Sequence, residues 1–281
     1  MTTPQILSVG LVLVASLLGA ANASAEGGGL LYQFDKTPIH YALTMNQRVE
    51  VDLGAGSRQT GARINARVSC ALEKTTPEGD LVVGLRFSDL SGEFTAQGKP
   101  ITGVDLSQLG VLRSSATLKP TGSVTRTLMP SANRQIDRTF RLLQDAFLRS
   151  LPVLPEGGEA AIGATWQDTR TERYEVDDRI VETKLSRTFK LVKVDPKGVG
   201  SGRLARIEIQ ISLETTSRMS DDKGSPLERL GSATGKGHAL FDLDAGHPRE
   251  VHLEVDHQSK DNTGARQRTA LTFDLAYAPE G

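Results

Sequence analysis

Apolar and polar side chains alternate along most of this chain. In RLARIEIQISLE, residues 203–214, Ala205, Ile207, Ile209, Ile211 and Leu213 fall on one side and Arg206, Glu208, Gln210, Ser212 and Glu214 on the other. A two-residue period of this kind makes a strand with one dry and one wet face. The same period runs through Tyr41, Leu43, Met45, Val49, Val51 and Leu53, then through Ile64, Ala66, Val68, Cys70 and Leu72. It recurs at Leu81, Val83, Leu85 and Phe87, at Val251, Leu253 and Val255, and at Thr269, Leu271, Phe273, Leu275 and Tyr277. Strands amphipathic in this way belong to antiparallel sheets. Turn residues separate them: TTPEG at 75–79, KPTG at 119–122, VDPKG at 194–198 and DAG at 244–246,. MSDDKGSPLERLGSATGKG, residues 219–237, reads as a long polar, mobile loop with one turn of helix at PLERL,.

One segment departs from this period. In PSANRQIDRTFRLLQDAFLRSLP, residues 130–152, Ile136, Phe140, Leu143, Phe147 and Leu151 recur every three or four positions. This predicts an amphipathic helix with Ser131 as its N-cap and Pro152 as its stop. Arg134, Asp137, Arg138, Arg141, Asp145 and Arg149 supply a solvated face,.

The segments on either side of the helix echo each other. YALTMNQRVEVD from Tyr41 aligns without a gap on WQDTRTERYEVD from Trp166, with Thr44/Thr169, Arg48/Arg173, Glu50/Glu175, Val51/Val176 and Asp52/Asp177 identical. LEKTTPEG from Leu72 aligns on LVKVDPKG from Leu191. Leu118 before KPTG likewise matches Leu243 before DAG. Three matches in the same order suggest one duplicated β-rich unit. The expected organisation is a signal peptide at 1–25, an N-terminal spacer at 26–38 and a first antiparallel β unit at 39–129. The amphipathic helix and a Pro/Gly-rich junction follow at 130–163, and a second antiparallel β unit at 164–281. The fold class is mainly β: two similar antiparallel units, curved sheets or half-barrels, joined by one helix, with the helix on the concave side.

The N-terminus adds a compartment. An apolar stretch from Ile6 to Ala20 precedes Ala23-Ser24-Ala25, which reads as a signal-peptidase site,. The stretch is shorter than the roughly 20 residues that span a bilayer. No Cys follows it as a lipid anchor would require, so the expectation is a periplasmic or secreted product without a transmembrane segment in the mature chain,. With 33 basic against 34 acidic side chains, no global field favours nucleic acid,. Cys70 stands alone, which excludes an internal disulfide, and its place in the alternation makes it a buried small hydrophobe,.

The junction itself, LPVLPEGGEAAIGATW at 151–166, holds the only Trp of the chain. With its LP-x-x-P start after a helix and its G-x-x-W end, carried by Leu151, Pro152, Pro155, Gly163 and Trp166, it resembles the central motif of a family of uncharacterised, exported bacterial proteins rich in β structure. The resemblance implies an envelope location and supplies no catalytic residue. Physically, Pro152 and Pro155 stop the helix, Gly163 permits a reversal, and Trp166 opens the second unit as Tyr41 opens the first.

Chemistry is sparse. GSATGKG at 231–237 is one residue short of a phosphate-binding P-loop and has Gly237 where Ser or Thr would hold magnesium,. His252, Glu254 and Asp256 share one strand face, but neighbours spaced about 7 Å apart along a strand cannot close a metal site unaided. Asp177-Asp178 and Asp221-Asp222 read as loop polarity, and no nucleophile elbow occurs,. No cofactor, metal ligand or catalytic residue is assigned. The expected function is non-catalytic binding, with a lipid, another apolar small molecule or an envelope protein as partner, in a concavity near the helix. Alternatives are an assembly module pairing through sheet edges and a hydrolase with a site between the halves.

Overall fold

The computed structural model describes residues 29–52, 54, 56–128, 134–176, 179–196, 202–220 and 226–279. The expected signal peptide, Leu53, Ser131, the Asp177-Asp178 and Asp221-Asp222 pairs and the end of VDPKG lie outside them, as does the side chain of Ile136. The elements are β1 (Ile39–Asp52), β2 (Ser57–Thr75), β3 (Leu81–Ala96), β4 (Lys99–Pro100), β5 (Leu112–Leu118), β6 (Val124–Leu128), α1 (Arg134–Ser150), β7 (Thr165–Val176), β8 (Arg179–Asp195), β9 (Leu204–Ser220), β10 (Pro226–Asp242), β11 (His247–Asp261) and β12 (Arg266–Tyr277). No helix among the described residues is long and apolar enough to cross a membrane.

All twelve strands form one antiparallel sheet in the order β6-β5-β3-β2-β1-β12-β11-β10-β9-β8-β7, with β4 hydrogen-bonded to β3. Each half is a meander running in the same direction, and β12 joins them by pairing with β1 from Tyr41↔Tyr277 to Asp52↔Arg266. The two expected β units are therefore continuous. The sequence echo has a counterpart in the ladders, since the register shifts between Leu72 and Lys74 in β2 and between Leu191 and Lys193 in β8. These are aligned positions of the L-x-K motif, each just before its turn.

Strand β10 corrects one expectation. The segment read as a mobile loop with a turn of helix at PLERL is strand from Pro226 to Asp242, paired on both sides. Its glycines serve close approach rather than a turn: a Cβ on Gly235 would lie 2.8 Å from the Glu254 carbonyl oxygen, and one on Gly231 would lie 2.7 Å from His257 Nε2. Gly231, Ala233, Gly235, Gly237 and Ala239 all fall on the concave face, so this strand forms a crease over which neighbouring side chains close,.

The core lies on the concave side. Phe140, Leu143, Phe147 and Leu148 of α1 are buried against it, with Phe140 edge-on to Phe87 at 5.3 Å and Phe147 tilted on Tyr41 at 6.1 Å. Leu30 and Tyr32, within the expected spacer, are part of this core, and Phe34 packs against it. Tyr32 is 3% exposed and its hydroxyl donates to the Pro152 carbonyl at 2.8 Å. Its backbone N–H donates to Pro120 in the β5–β6 turn, while that of Gln33 donates to Gly246 in the β10–β11 turn. One short segment thus bridges both halves.

The end of α1 is held by a buried cation. Arg187 of β8, 3% exposed, donates from Nη1 to the carbonyls of Arg149 and Leu151, at 2.7 and 3.1 Å, and from Nη2 to Asp168 at 2.7 Å. Arg170 shares Asp168 and reaches on to Ser123 Oγ and the Val124 carbonyl, so the outermost strands β6 and β7 are tied by side chains. Burial works to raise the Asp168 carboxyl, but hydrogen bonds and charge from Arg187, then Arg170, hold it below the usual range,. Arg187→Met would leave Asp168 to Arg170 alone and two carbonyls at the helix end without their donor. It should lower unfolding free energy in urea by about 3–5 kcal/mol, and Arg187→Lys should not restore the loss because an ammonium lacks the forked geometry.

Candidate functional site

The register defines the concave face rung by rung. Through Leu43 it carries Ala66, Leu43, Leu275, Val251, Ala239, Ile207 and Leu191. The next rung carries Ile64, Met45, Phe273, Leu253, Gly237, Ile209, Phe189 and Trp166. Apart from Trp166 and Gly237, the side chains of both rungs are buried. The third, through Gln47, has Ala62, Leu271, Val255, Gly235 and Ile211, and ends on the Arg187–Asp168 pair. Beyond it the character changes. The rung of Val49 includes Thr60, Thr269, His257, Ala233 and Leu213, and that of Val51 includes Gln267, Ser259, Thr215 and Thr183. The face is thus apolar beneath α1 and increasingly lined by hydroxyls and amides toward the other strand ends.

Burial falls off toward those strand ends: Val49, Val255, Ile211, Leu213 and Leu271 are only half-buried. Where the apolar rungs end, burial and the charge of Arg229 push the His257 imidazole below its ordinary value, so it is neutral at neutral pH,. Asp261 closes the last rung. Its carboxylate accepts from the Thr263 hydroxyl at 2.6 Å, from the Thr263 and Ala265 backbone N–H groups at 3.0 Å, and from Arg229 at 3.3 Å.

Two buried polar groups sit in the covered region without a hydrogen-bond partner among the described residues: Gln144 Nε2 on α1 and Ser114 Oγ on β5. Burying an unpaired donor costs about 1–3 kcal/mol. The sequence reading passed over both, although a polar residue inside the apolar stripe of a helix, as at Gln144, is a legible signal. It also passed over Arg187, whose charge stands in line with Leu185, Phe189 and Leu191 on the dry side of β8.

The junction residues lie behind α1. Pro152 is buried, and its carbonyl accepts from Tyr32. The carbonyl of Pro155 accepts from the Gly158 N–H at 3.1 Å. Gly163 has φ +89, which permits its N–H to donate to Leu191 at 2.7 Å as the chain enters β7,. Trp166 stacks on Phe189 at 5.9 Å and donates from Nε1 to the Val153 carbonyl at 2.6 Å. Both Trp166 and Tyr41 point to the concave side from the first strand of a meander.

Other candidates are dispersed. His252 pairs with Asp274 at 2.6 Å on the convex face, which raises its pKa, and His238 lies 3.2 Å from Glu250. Among the described residues no three His, Cys, Asp or Glu side chains are grouped to hold a metal. Cys70 is 1% exposed and burial pushes its thiol far up, out of reach of nucleophilic chemistry at neutral pH,.

Comparison with known proteins gives no family: no family model and no curated protein matches the chain. Among solved structures it is similar to a lipovitellin chain, described under lipid–protein interactions in lipovitellin, at TM-score 0.48 and 10% identity. The match covers 88% of this chain and 26% of that one, so the chain spans about a quarter of lipovitellin's length. It is also similar to OccK1 (OpdK) of Pseudomonas aeruginosa at TM-score 0.22 and 7% identity, over 87% of this chain and 99% of that one.

The buried histidine at the base of the core makes a pH prediction. His247 is 6% exposed, its Nδ1 donates to the Pro248 carbonyl at 3.1 Å, and burial holds its pKa below the ordinary value. The folded state then binds a proton less readily than the unfolded chain, so stability falls as pH drops below about 6.5. His257 adds in the same sense and His252, raised by Asp274, in the opposite one. Denaturant melts between neutral and mildly acidic pH should show His247→Gln losing less stability on acidification than the parent protein.

Proposed function

We propose that this is an exported, non-catalytic binding protein that holds an amphiphilic ligand on the concave face of its sheet. The apolar part would lie against Leu271, Val255 and Ile211, and the polar end among the hydroxyls and amides of the Val51 rung. The observation that carries the reading is that apolar residues of the concave face continue past its fully buried rungs, where they are only half-buried, and that the face is graded from dry to polar. Curved antiparallel sheets present such interiors to apolar ligands. The unpartnered Gln144 and Ser114 groups support it, since each could pair with a polar group entering beside α1. We further read the two meanders as copies of one unit, supported by the matching register shifts at Leu72/Lys74 and Leu191/Lys193. Pairing through the sheet edges is the less favoured mode, because Arg170 already links β7 to β6 and the exposed length of β7 is rich in charge,.

Native mass spectrometry of protein purified from its own envelope fraction should reveal a co-purifying amphiphile that solvent extraction removes. The extracted protein should then take up a fluorescent fatty-acid probe. Val49→Trp, which fills the half-buried mouth, should weaken probe binding by about tenfold or more with little change in melting temperature. A bare polypeptide mass together with failure of the extracted protein to take up any probe would refute this function.

A further inference from the structure

The convex face carries a cluster of exposed arginines, on the side of the sheet away from the concave surface. Arg67, Arg86 and Arg113 project outward from β2, β3 and β5, alternating with buried Val68, Leu85 and Ser114. Arg86 lies directly opposite Arg113 across the ladder, and Arg67 lies opposite Ser88. Like charges placed directly opposite are unfavourable. None of the three guanidinium groups makes a hydrogen bond or ion pair among the described residues.

Arg67 and Arg86 line a cleft of about 520 Å³ together with His40 and the hydroxyls of Ser69, Ser88 and Ser107; Asp89 is the one acid of the lining. The cleft owes its shape to a bulge. The β2–β3 register shifts between Asn65 and Arg67, and Asp89 in the bulge has φ +53, a left-handed conformation that costs a non-glycine residue,. Ser107, Gly110 and Val111 of the segment 101–111 complete the lining. Leu106 anchors this segment inward at 8% exposure and Asp105 caps its short turn through the Ser107 N–H, while Ile101, Val104 and Val111 are 44, 46 and 43% exposed.

We infer that this cleft and the adjoining 101–111 segment dock on a membrane surface rich in anionic phospholipid, with phosphate oxyanions taken by Arg67, Arg86 and Arg113. The outward aliphatic side chains enter the headgroup boundary. Charge complementarity selects the anion, because guanidinium forks match phosphate oxygens. The exposed aliphatics beside the cleft select a lipid over a free anion, which would leave them in water.

Sedimentation with vesicles tests this directly. The protein should bind phosphatidylcholine vesicles containing about a third phosphatidylglycerol, fail to bind phosphatidylcholine alone, and release as salt is raised. Arg67→Ser combined with Arg86→Ser should weaken binding by roughly 30-fold, whereas the same two positions as Lys should retain most of it. Ile101→Ser with Val104→Ser should weaken binding at unchanged charge, and Lys236→Ser, an exposed cation on β10, should not. Equal binding to neutral vesicles, or serine variants that bind as the parent does, would overturn the proposal. So would inorganic phosphate that binds the lipid-free protein through Arg67 and Arg86 when vesicles do not, since the site would then serve a free anion.

Discussion

A single buried guanidinium holds together parts of this protein that the backbone leaves apart. Arg187 stands on an interior strand, yet its donors end on the last carbonyls of α1 and on the carboxylate of β7. A helix C-terminus carries unsatisfied carbonyls and partial negative charge, so a cation there satisfies hydrogen bonds and dipole together. Asp168 balances the charge, and Arg170 extends the network from Asp168 to the opposite edge of the sheet. Tyr32 brings the N-terminal segment onto the same region through Pro152. Helix, junction, leading segment and both edges therefore meet around one ion pair.

That arrangement fixes what remains open. The helix is anchored at its C-terminal end and packed on Phe87 and Tyr41, while the rungs of Gln47 and Val49 hold apolar residues that are only half-buried. The crease at β10, where a Cβ would strike neighbouring backbone, shows how tightly the sheet curls there. Curvature and incomplete cover together give a concave surface with dry and polar ends. On the other face, the bulge at Asp89 breaks the alternation locally and opens a basic cleft beneath an ordered loop. The same ladder thus supports two surfaces of unlike chemistry.

Much of the fold was legible because alternation is a local signal. Each apolar run read from the sequence is a strand whose apolar side faces the concavity, Cys70 is buried, and Phe140, Leu143 and Phe147 form the dry stripe of a helix. The misreading of 219–237 has an equally local cause. Glycine is the common mark of a turn, but in β10 it answers to backbone and side chains contributed by β9 and β11, which no short window contains,. The candidate sites were less legible. A concave surface is composed of one residue in two from many strands, and its mouth is recognisable only when Val49, Thr269, His257 and Leu213 are known to share a rung.

By itself the sequence determined the alternating strands, though not the glycine-rich β10, together with the helix, their wet and dry sides and the echo between the halves, because these follow from side-chain period and turn chemistry over a few residues. The tertiary structure decided that the halves form one sheet through β1 and β12, where the helix rests, and which arginines are buried and which stand unpaired. Those outcomes depend on register and curvature summed over distant segments, and on whether a charge finds its partner across the fold.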